Sequence, residues 1–212
     1  MSRSVPRPGA SITVETPASS ANLGPGFDSV GLALGVWDRC TVTVTDEPGV
    51  RVEVEGEGAQ GVPRDGSHLV VRTMHRTWQA LGVPAPAGLH LASVNTVPHG
   101  RGMGSSATAI VTGIVAAQAI SGEGDSFGLF DPGFTNDLAA RLEGHPDNAS
   151  ASIFGGATLS WSDDPEVGTT TVRLAIHEDV VAVVFAPEEQ LSTAKARSVL
   201  PAHVRLADAA AN

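Results

Sequence analysis

The 212-residue sequence has a single cysteine, Cys40, so no disulfide can form within the chain and a zinc site built on cysteines is excluded. Lysine is equally scarce. Lys195 is the only one among 13 basic residues, which face 23 acidic ones for a net charge of −10. That balance speaks against a nucleic-acid partner, because neutralising phosphates needs clustered Lys and Arg. Any phosphate held here must rely on backbone amides and arginine. Charged residues make up 17% and hydrophobic ones 42%, which excludes both a disordered chain and a charged coiled coil. Long apolar runs are missing as well. The most apolar helical stretch, Ser105 to Ile120, is interrupted by Ser, Thr, Gly and Gln and is too short to span a bilayer. Arg3 and Arg7 have no apolar run behind them, so the start does not read as a signal peptide. No membrane partner and a soluble, cytoplasmic protein are the expectation.

Glycine and proline are plentiful, at 24 and 14, without any collagen-like period, and they signal many turns. Residues 1–10 read as a loose tail and Ser11 to Thr16 as a short strand. A Gly/Pro/Asn-rich loop is expected over Pro17 to Phe27, then an apolar stretch from Val30 to Val36. Cys40 to Thr45 and Val50 to Glu55 alternate valines at every second position, as half-buried strands do. Leu69, Val70, Met74, Trp78 and Leu81 mark one face of a helix over His68 to Leu81, stopped by Gly82. Leu89 to Val97 reads as a strand. Ser105 and Ser106 are expected to cap and open a helix to Ile120. An insert over Ser121 to Gly133 precedes a helix over Thr135 to Glu143. A loop over Gly144 to Asn148, a small-residue segment over Ala149 to Gly156 and a strand over Ala157 to Trp161 follow. Thr169 to Ile176 and Val180 to Phe185 are expected to pair as a β-hairpin, and Thr193 to Leu200 to form a helix. The sequence ends inside what reads as a new helix starting near Leu206, with no cap and no closing strand, so a C-terminal truncation is expected.

Three segments are candidates for chemistry. In Pro98-His99-Gly100-Arg101-Gly102-Met103-Gly104-Ser105-Ser106-Ala107-Thr108, alternate glycines free the backbone to bring amides close to an anion. The helix opening at Ser105 adds its positive end. This is neither a Walker loop nor a dinucleotide fingerprint, since no Gly-Lys-Ser/Thr follows and Ser105 stands in the place of the third glycine. A tight, well-capped strand-to-helix turn explains the same residues. In Pro17 to Asp28, Asn22 offers donor and acceptor and Asp28 a carboxylate for an ammonium group, although an Asx-rich loop satisfying its own backbone reads equally well. In Glu143-Gly144-His145-Pro146-Asp147-Asn148, His145 can titrate or bond a ligand and Asn148 can orient a hydroxyl, while the same letters make an adequate turn. Asp137, eight residues before His145, is a carboxylate that would complete a magnesium shell with Ser105 and phosphate oxygens.

Taken together the segments resemble one family. Pro98 to Ala107 is similar to the Pro-x-x-x-Gly-Leu-Gly-Ser-Ser-Ala signature of the GHMP kinases, with Met103 in the leucine place. Ala18 to Asp28, Gly144 to Asn148 and Leu191 to Arg197 resemble, in family order, further motifs of the homoserine kinases within that superfamily. The resemblance implies an α+β GHMP kinase fold: a tail over 1–10, an ATP-binding domain like ribosomal protein S5 domain 2 over 11–161, and part of a ferredoxin-like domain over 162–212. It implies phosphorylation of L-homoserine by ATP with Mg2+, in threonine biosynthesis, with a homodimer as the protein partnership it admits. Pro98 to Thr108 would wrap the ATP phosphates. Asn22, Asp28, His145, Asn148, Thr193 and Arg197 would line the homoserine pocket, Asp28 holding the ammonium and Arg197 the carboxylate. Ser105 and Asp137 would hold the metal, Asp137 standing where relatives have Glu. Asn148, with His145, would serve catalysis by positioning, since an amide cannot accept the hydroxyl proton. Relatives continue with a third glycine motif and a further substrate arginine, neither of which occurs here. Another GHMP small-molecule kinase and an impaired nucleotide-binding fragment are the alternative readings.

Overall fold

A computed structural model describes residues 5–24, 26–122, 130–162, 168–189, 193–201 and 203–211. The architecture is α+β, a six-stranded sheet with helices packed on it. Strand β1 (Ser11–Ala21) runs antiparallel to the 16-residue β2 (Val30–Thr45), which is the hub of the sheet. The other edge of β2 takes β4 (Gly88–Asn95) along Arg39–Thr45 and β5 (Ala157–Trp161) along Val30–Leu32. The outer strands are β3 (Gly49–Gly56), parallel to β4, and β6 (Thr170–Leu174), antiparallel to β5. Helix α1 (Leu69–Leu81) is the crossover between the parallel strands β3 and β4. Helix α2 (Ser105–Ser121) packs on α1 and β1, followed by α3 (Pro132–Glu143) and α4 (Asp147–Phe154). Two short helices, α5 (Thr193–Ser198) and α6 (Leu206–Ala211), close the described chain.

The alternating valines do what period two requires. Val42, Val44, Val52 and Val54 point into one core with Met74 and Trp78 of α1, all 5% exposed or less. The indole Nε1–H of Trp78 donates to the Ala117 carbonyl (3.2 Å) and Ser121 Oγ (2.9 Å), tying α1 to the end of α2. Gly113 lets those helices touch, since a Cβ there would lie 2.7 Å from the Val70 carbonyl oxygen. A second cluster joins α2, α3 and α4 through Ile110, Ile114, Leu138 and Ala149. Beyond Ser160 no described residue is buried.

Several boundaries differ from the sequence expectation. The loop expected over Pro17 to Phe27 is strand as far as Ala21. Proline and small residues hid it, and the ladder shifts register between Pro17 and Ser19, where proline has no N–H to give. The stretches Val30 to Val36 and Cys40 to Thr45 form one continuous strand. The tail is already paired at its end, with the Gly9 N–H donating to the Val44 carbonyl (2.9 Å). Residues expected as a loop end and small-residue segment form α4, because Ala and Ser at 149–152 are buried and pack tightly on β1 and β2. The expected hairpin is absent: β6 pairs with β5, and 180–185 carries no strand pairing. Asp131, inside the expected insert, is the N-cap of α3 and accepts from the Phe134 N–H. The middle of that insert, 123–129, and Leu191 and Ser192 of the last motif lie outside the described residues.

Candidate active site

Gly100, Gly102 and Gly104 all take left-handed φ, at +68°, +72° and +68°. The cap of α2 is Gly104, without a side-chain hydrogen bond, where a serine cap was expected. A Cβ at Gly104 would meet Ser19 Oγ at 2.3 Å and Asn148 Oδ1 at 3.1 Å, which explains the exchange. The serine hydroxyls are thereby released from capping. Ser105 and Ser106 become the first helical residues, with their amides at the positive end of a 17-residue helix. Ser106 Oγ donates to Glu143 Oε1 at 2.5 Å. Met103 is buried against Ala18 and Val97, and its carbonyl accepts the Ser19 N–H (3.2 Å), so the loop is anchored on β1. Ala107 and Thr108 are fully buried behind it, where Thr108 Oγ1 donates to the Gly104 carbonyl (2.8 Å).

Two cavities meet at this helix start. A cleft of about 690 Å3 is lined by Gly100 to Ser106 together with Asn22, Asp28, Glu143, His145, Asn148 and Arg197. A more enclosed cavity of about 200 Å3 lies among Asp38 and Cys40 of β2, Ser93 of β4, His68 at the start of α1 and His99. Ser105 and Ser106 line both. Pro98 lines neither.

In the cleft, the first turn of α4 sets the geometry. Asp147, fully buried, accepts from Asn148 N–H (2.7 Å) and pairs with His145 Nδ1 (2.6 Å), both at Oδ1. That hydrogen bond raises the His145 pKa above its ordinary value, against the opposing effect of burial. The carbonyl of Asp147 sits against Gly31, where a Cβ would lie 2.1 Å away, so β2 and α4 meet backbone to backbone. Among the described residues, Asn22 and Asp28 are the two non-glycine residues with positive φ, +57° and +56°. The Asp28 N–H donates to Asn22 Oδ1 at 2.8 Å, closing the loop between them. Arg197 Nη2 donates to both Asp28 oxygens, at 2.6 and 2.7 Å, and its guanidinium lies 5.3 Å from the Phe27 ring centroid. The hydrogen bond to Asp28 pushes the Arg197 pKa further up. In the smaller cavity, burial and the neighbouring His99 and Arg64 charges hold the His68 imidazole below its ordinary pKa, and its Nδ1 is buried without a partner.

Asn22, Asp28, His145, Asn148 and Arg197, drawn from three distant segments, are thus brought together. The side chain of Thr193, at the start of α5, lies outside the described residues. Asp137 is not brought to Ser105: it accepts the Thr169 N–H (2.6 Å) and lies against Gly168. Six helical positions separate it from Glu143, an offset of about 240° around the axis, so the two carboxylates leave α3 on different sides. Glu143 is the one that reaches the serines. It stood at the head of a motif already singled out, and helical phase was the signal that would have chosen it. Of the small cavity, only His99, Ser105 and Ser106 were singled out; Asp38, Cys40, His68 and Ser93 were missed, because they come from separated elements.

This arrangement, a glycine loop feeding a helix start between two cavities, defines a class. Residues 68–156 match the family described as "GHMP kinases N terminal domain". The chain is 46% identical over 216 residues to the homoserine kinase of Mycolicibacterium vanbaalenii, covering 100% of this chain and 67% of that protein. It is also 46% identical over 206 residues to that of Cutibacterium acnes, covering 94% and 66%. The crystal structure of homoserine kinase from Cytophaga hutchinsonii superposes with a TM-score of 0.76 at 26% identity, covering 95% of this chain and 64% of that one. The chain belongs to the homoserine kinase family of the GHMP kinases. It spans about two thirds of the length of the curated relatives it matches. No described helix is long and apolar enough to cross a membrane.

Proposed function

We propose that this chain carries the nucleotide site and much of the substrate site of a homoserine kinase, which transfers the γ-phosphoryl group of ATP to the side-chain hydroxyl of L-homoserine. The observation that carries this reading is the meeting of an enclosed cavity and a charged cleft at one helix start, Ser105–Ser106. The enclosed cavity suits a nucleoside. The amides at 100–106 suit its phosphates. The cleft suits a zwitterion, with Asp28 for the ammonium and Arg197 for the carboxylate. Residues 11–161 form the ATP-binding part in this reading, β6 extends its sheet, and the residues beyond β6 begin a second, ferredoxin-like part.

The chemistry then follows from positioning. Asn148, whose Oδ1 accepts from Ser19 Oγ (3.1 Å) beside Gly104, holds the substrate hydroxyl next to the loop. The hydroxyl oxygen bonds to the γ-phosphorus as the bridging oxygen to ADP leaves. Its proton passes to a phosphoryl oxygen, because an amide cannot take it. Neutralising the phosphoryl oxygens is the chemistry that bound Mg2+ supplies, and the Ser105 and Ser106 hydroxyls with the Glu143 carboxylate are the hard oxygen donors such an ion takes.

The test is ADP release from MgATP with and without L-homoserine. Homoserine-dependent release is expected. Binding of both ligands without turnover would instead assign the chain a binding role, and release driven by another small alcohol would reassign the substrate. Asn148→Ala should lower turnover without removing an ionisation from the pH profile, and loss of a sharp ionisation would refute the base-free step.

A further inference from the structure

Asp147 has no exposed surface and does not line the cleft, yet the residues that satisfy it belong to the cleft. A buried carboxylate is costly unless its oxygens are satisfied. Here Oδ1 takes His145 Nδ1 (2.6 Å) and the Asn148 N–H (2.7 Å), and Oδ2 faces the Asn22 amide nitrogen at 3.5 Å. This long contact and the shorter one from the Asp28 N–H together set which way the Asn22 amide points. With its NH2 toward Asp147, its Oδ1 is turned to the Asp28 N–H, which donates to it at 2.8 Å. Asn22 and Asp28 both hold left-handed backbone conformations, which Asn and Asp tolerate best among non-glycine residues, and the hydrogen bond between them closes the loop in that form. Asp28 in turn meets Arg197.

We infer that Asp147 is the positioning residue for the amino-acid end of the cleft: it orients the Asn22 amide, which holds the Asp28 loop, and it fixes the His145 ring so that Nε2 is left for the cleft. Asp147 itself touches no substrate. The inference rests on the proposed reading of the cleft only where it names the amino acid as ligand.

The test is an exchange of the amide and the carboxylate. In Asp147→Asn one oxygen can still serve His145 and Asn148, but two NH2 groups then face each other at Asn22. The Asn22 amide must turn, and the Asp28 N–H loses its acceptor. In Asn22→Asp/Asp147→Asn the pair is restored in reverse, and a carboxylate oxygen again accepts from Asp28. The backbone amide signal of Asp28 in a 1H–15N spectrum should therefore move in the single variant and return in the exchanged one. L-homoserine affinity should fall about tenfold or more in the single variant, the usual loss for a hydrogen bond to a charged group. In the exchanged variant the Asp28 amide signal is the readout, because Asn22 itself lines the cleft. MgADP affinity should be unchanged in both. An Asp28 amide that does not move in Asp147→Asn would overturn the inference, as would a folded exchanged variant no better than the single one. If the single variant does not fold, the exchanged variant decides: a fold with the native Asp28 amide supports the pairing, and failure to fold refutes it. Should the native chain not bind homoserine, the substrate reading fails, while the amide signals still decide the positioning role.

Discussion

The 200 Å3 cavity and the 690 Å3 cleft share Ser105 and Ser106 and no other lining residue. The cavity is set among α1, α2 and the sheet, and its lining includes Cys40, Val62, Leu69, Val70 and Ala109. In the proposed reading it would take the nucleoside by shape. The cleft is lined by Asp28, Glu143, His145, Arg101 and Arg197, and in the proposed reading it would take its ligand by charge. Their histidines respond oppositely. Burial pushes the His68 pKa down, and the hydrogen bond to Asp147 pushes that of His145 up. One helix start can therefore serve an apolar ring on one side and a zwitterion on the other without either environment compromising the other.

Breaking the shared element should have the largest effect. Gly104→Val puts a branched side chain on a left-handed residue against Ser19 and Asn148. It should cost about 3 kcal/mol or more of stability, read by thermal melting, and remove binding on both sides. Next comes Arg197→Ala, which should weaken L-homoserine binding about tenfold to a hundredfold in calorimetry while leaving MgADP unaffected, as loss of charged hydrogen bonds in one cavity requires. A comparable loss of MgADP binding would show that the two cavities are not separate. His68→Phe is the mirror test. A few-fold to about tenfold change in MgADP affinity is expected with homoserine binding intact, the scale of one neutral hydrogen bond.

The smallest effect is on pH dependence. His145 has a raised pKa in the folded chain, so its contribution is complete below the ordinary histidine value of about 6.5 and is lost as pH rises through the raised one. His68 has a lowered pKa, so its burial is tolerated above about 6.5 and destabilises as pH falls below that. Melting curves of His145→Gln should lack the alkaline-side loss, and those of His68→Phe the acid-side loss. Identical pH profiles for native chain and variants would remove the electrostatic half of the comparison.

The contrast also governs what was legible in the sequence. Cleft residues sit in compact motifs, Ala18 to Asp28 and Glu143 to Asn148, whose residue types announce chemistry, so Asn22, Asp28, His145 and Asn148 were found. The choice between Asp137 and Glu143 turned on helical phase, which the residue types do not show: both are acids on α3, and only Glu143 faces Ser106. Asp147 was overlooked because His-Pro-Asp-Asn reads as a turn, and burial alone reveals that its carboxylate is the centre of a network. Most of the cavity was illegible because Asp38 of β2, His68 before α1 and Ser93 of β4 carry no common pattern and converge only through the folding of the sheet and α1. In the fold, β3, β4, β5 and α1 were read to within two residues. The small-residue helix α4 and the proline-containing end of β1 were not, since tertiary pairing there overrides local propensity.

The most direct test of the two-sided site is a pair of 1H–15N titrations, MgADP and L-homoserine, each alone and then together. Amides around Val70, Ser93 and Ala109 should answer to the nucleotide, those of Asp28 and Asn148 to homoserine, and Ser105 and Ser106 to both, with both ligands bound at once. Competition between the two ligands, or homoserine shifts centred on the smaller cavity, would contradict the account.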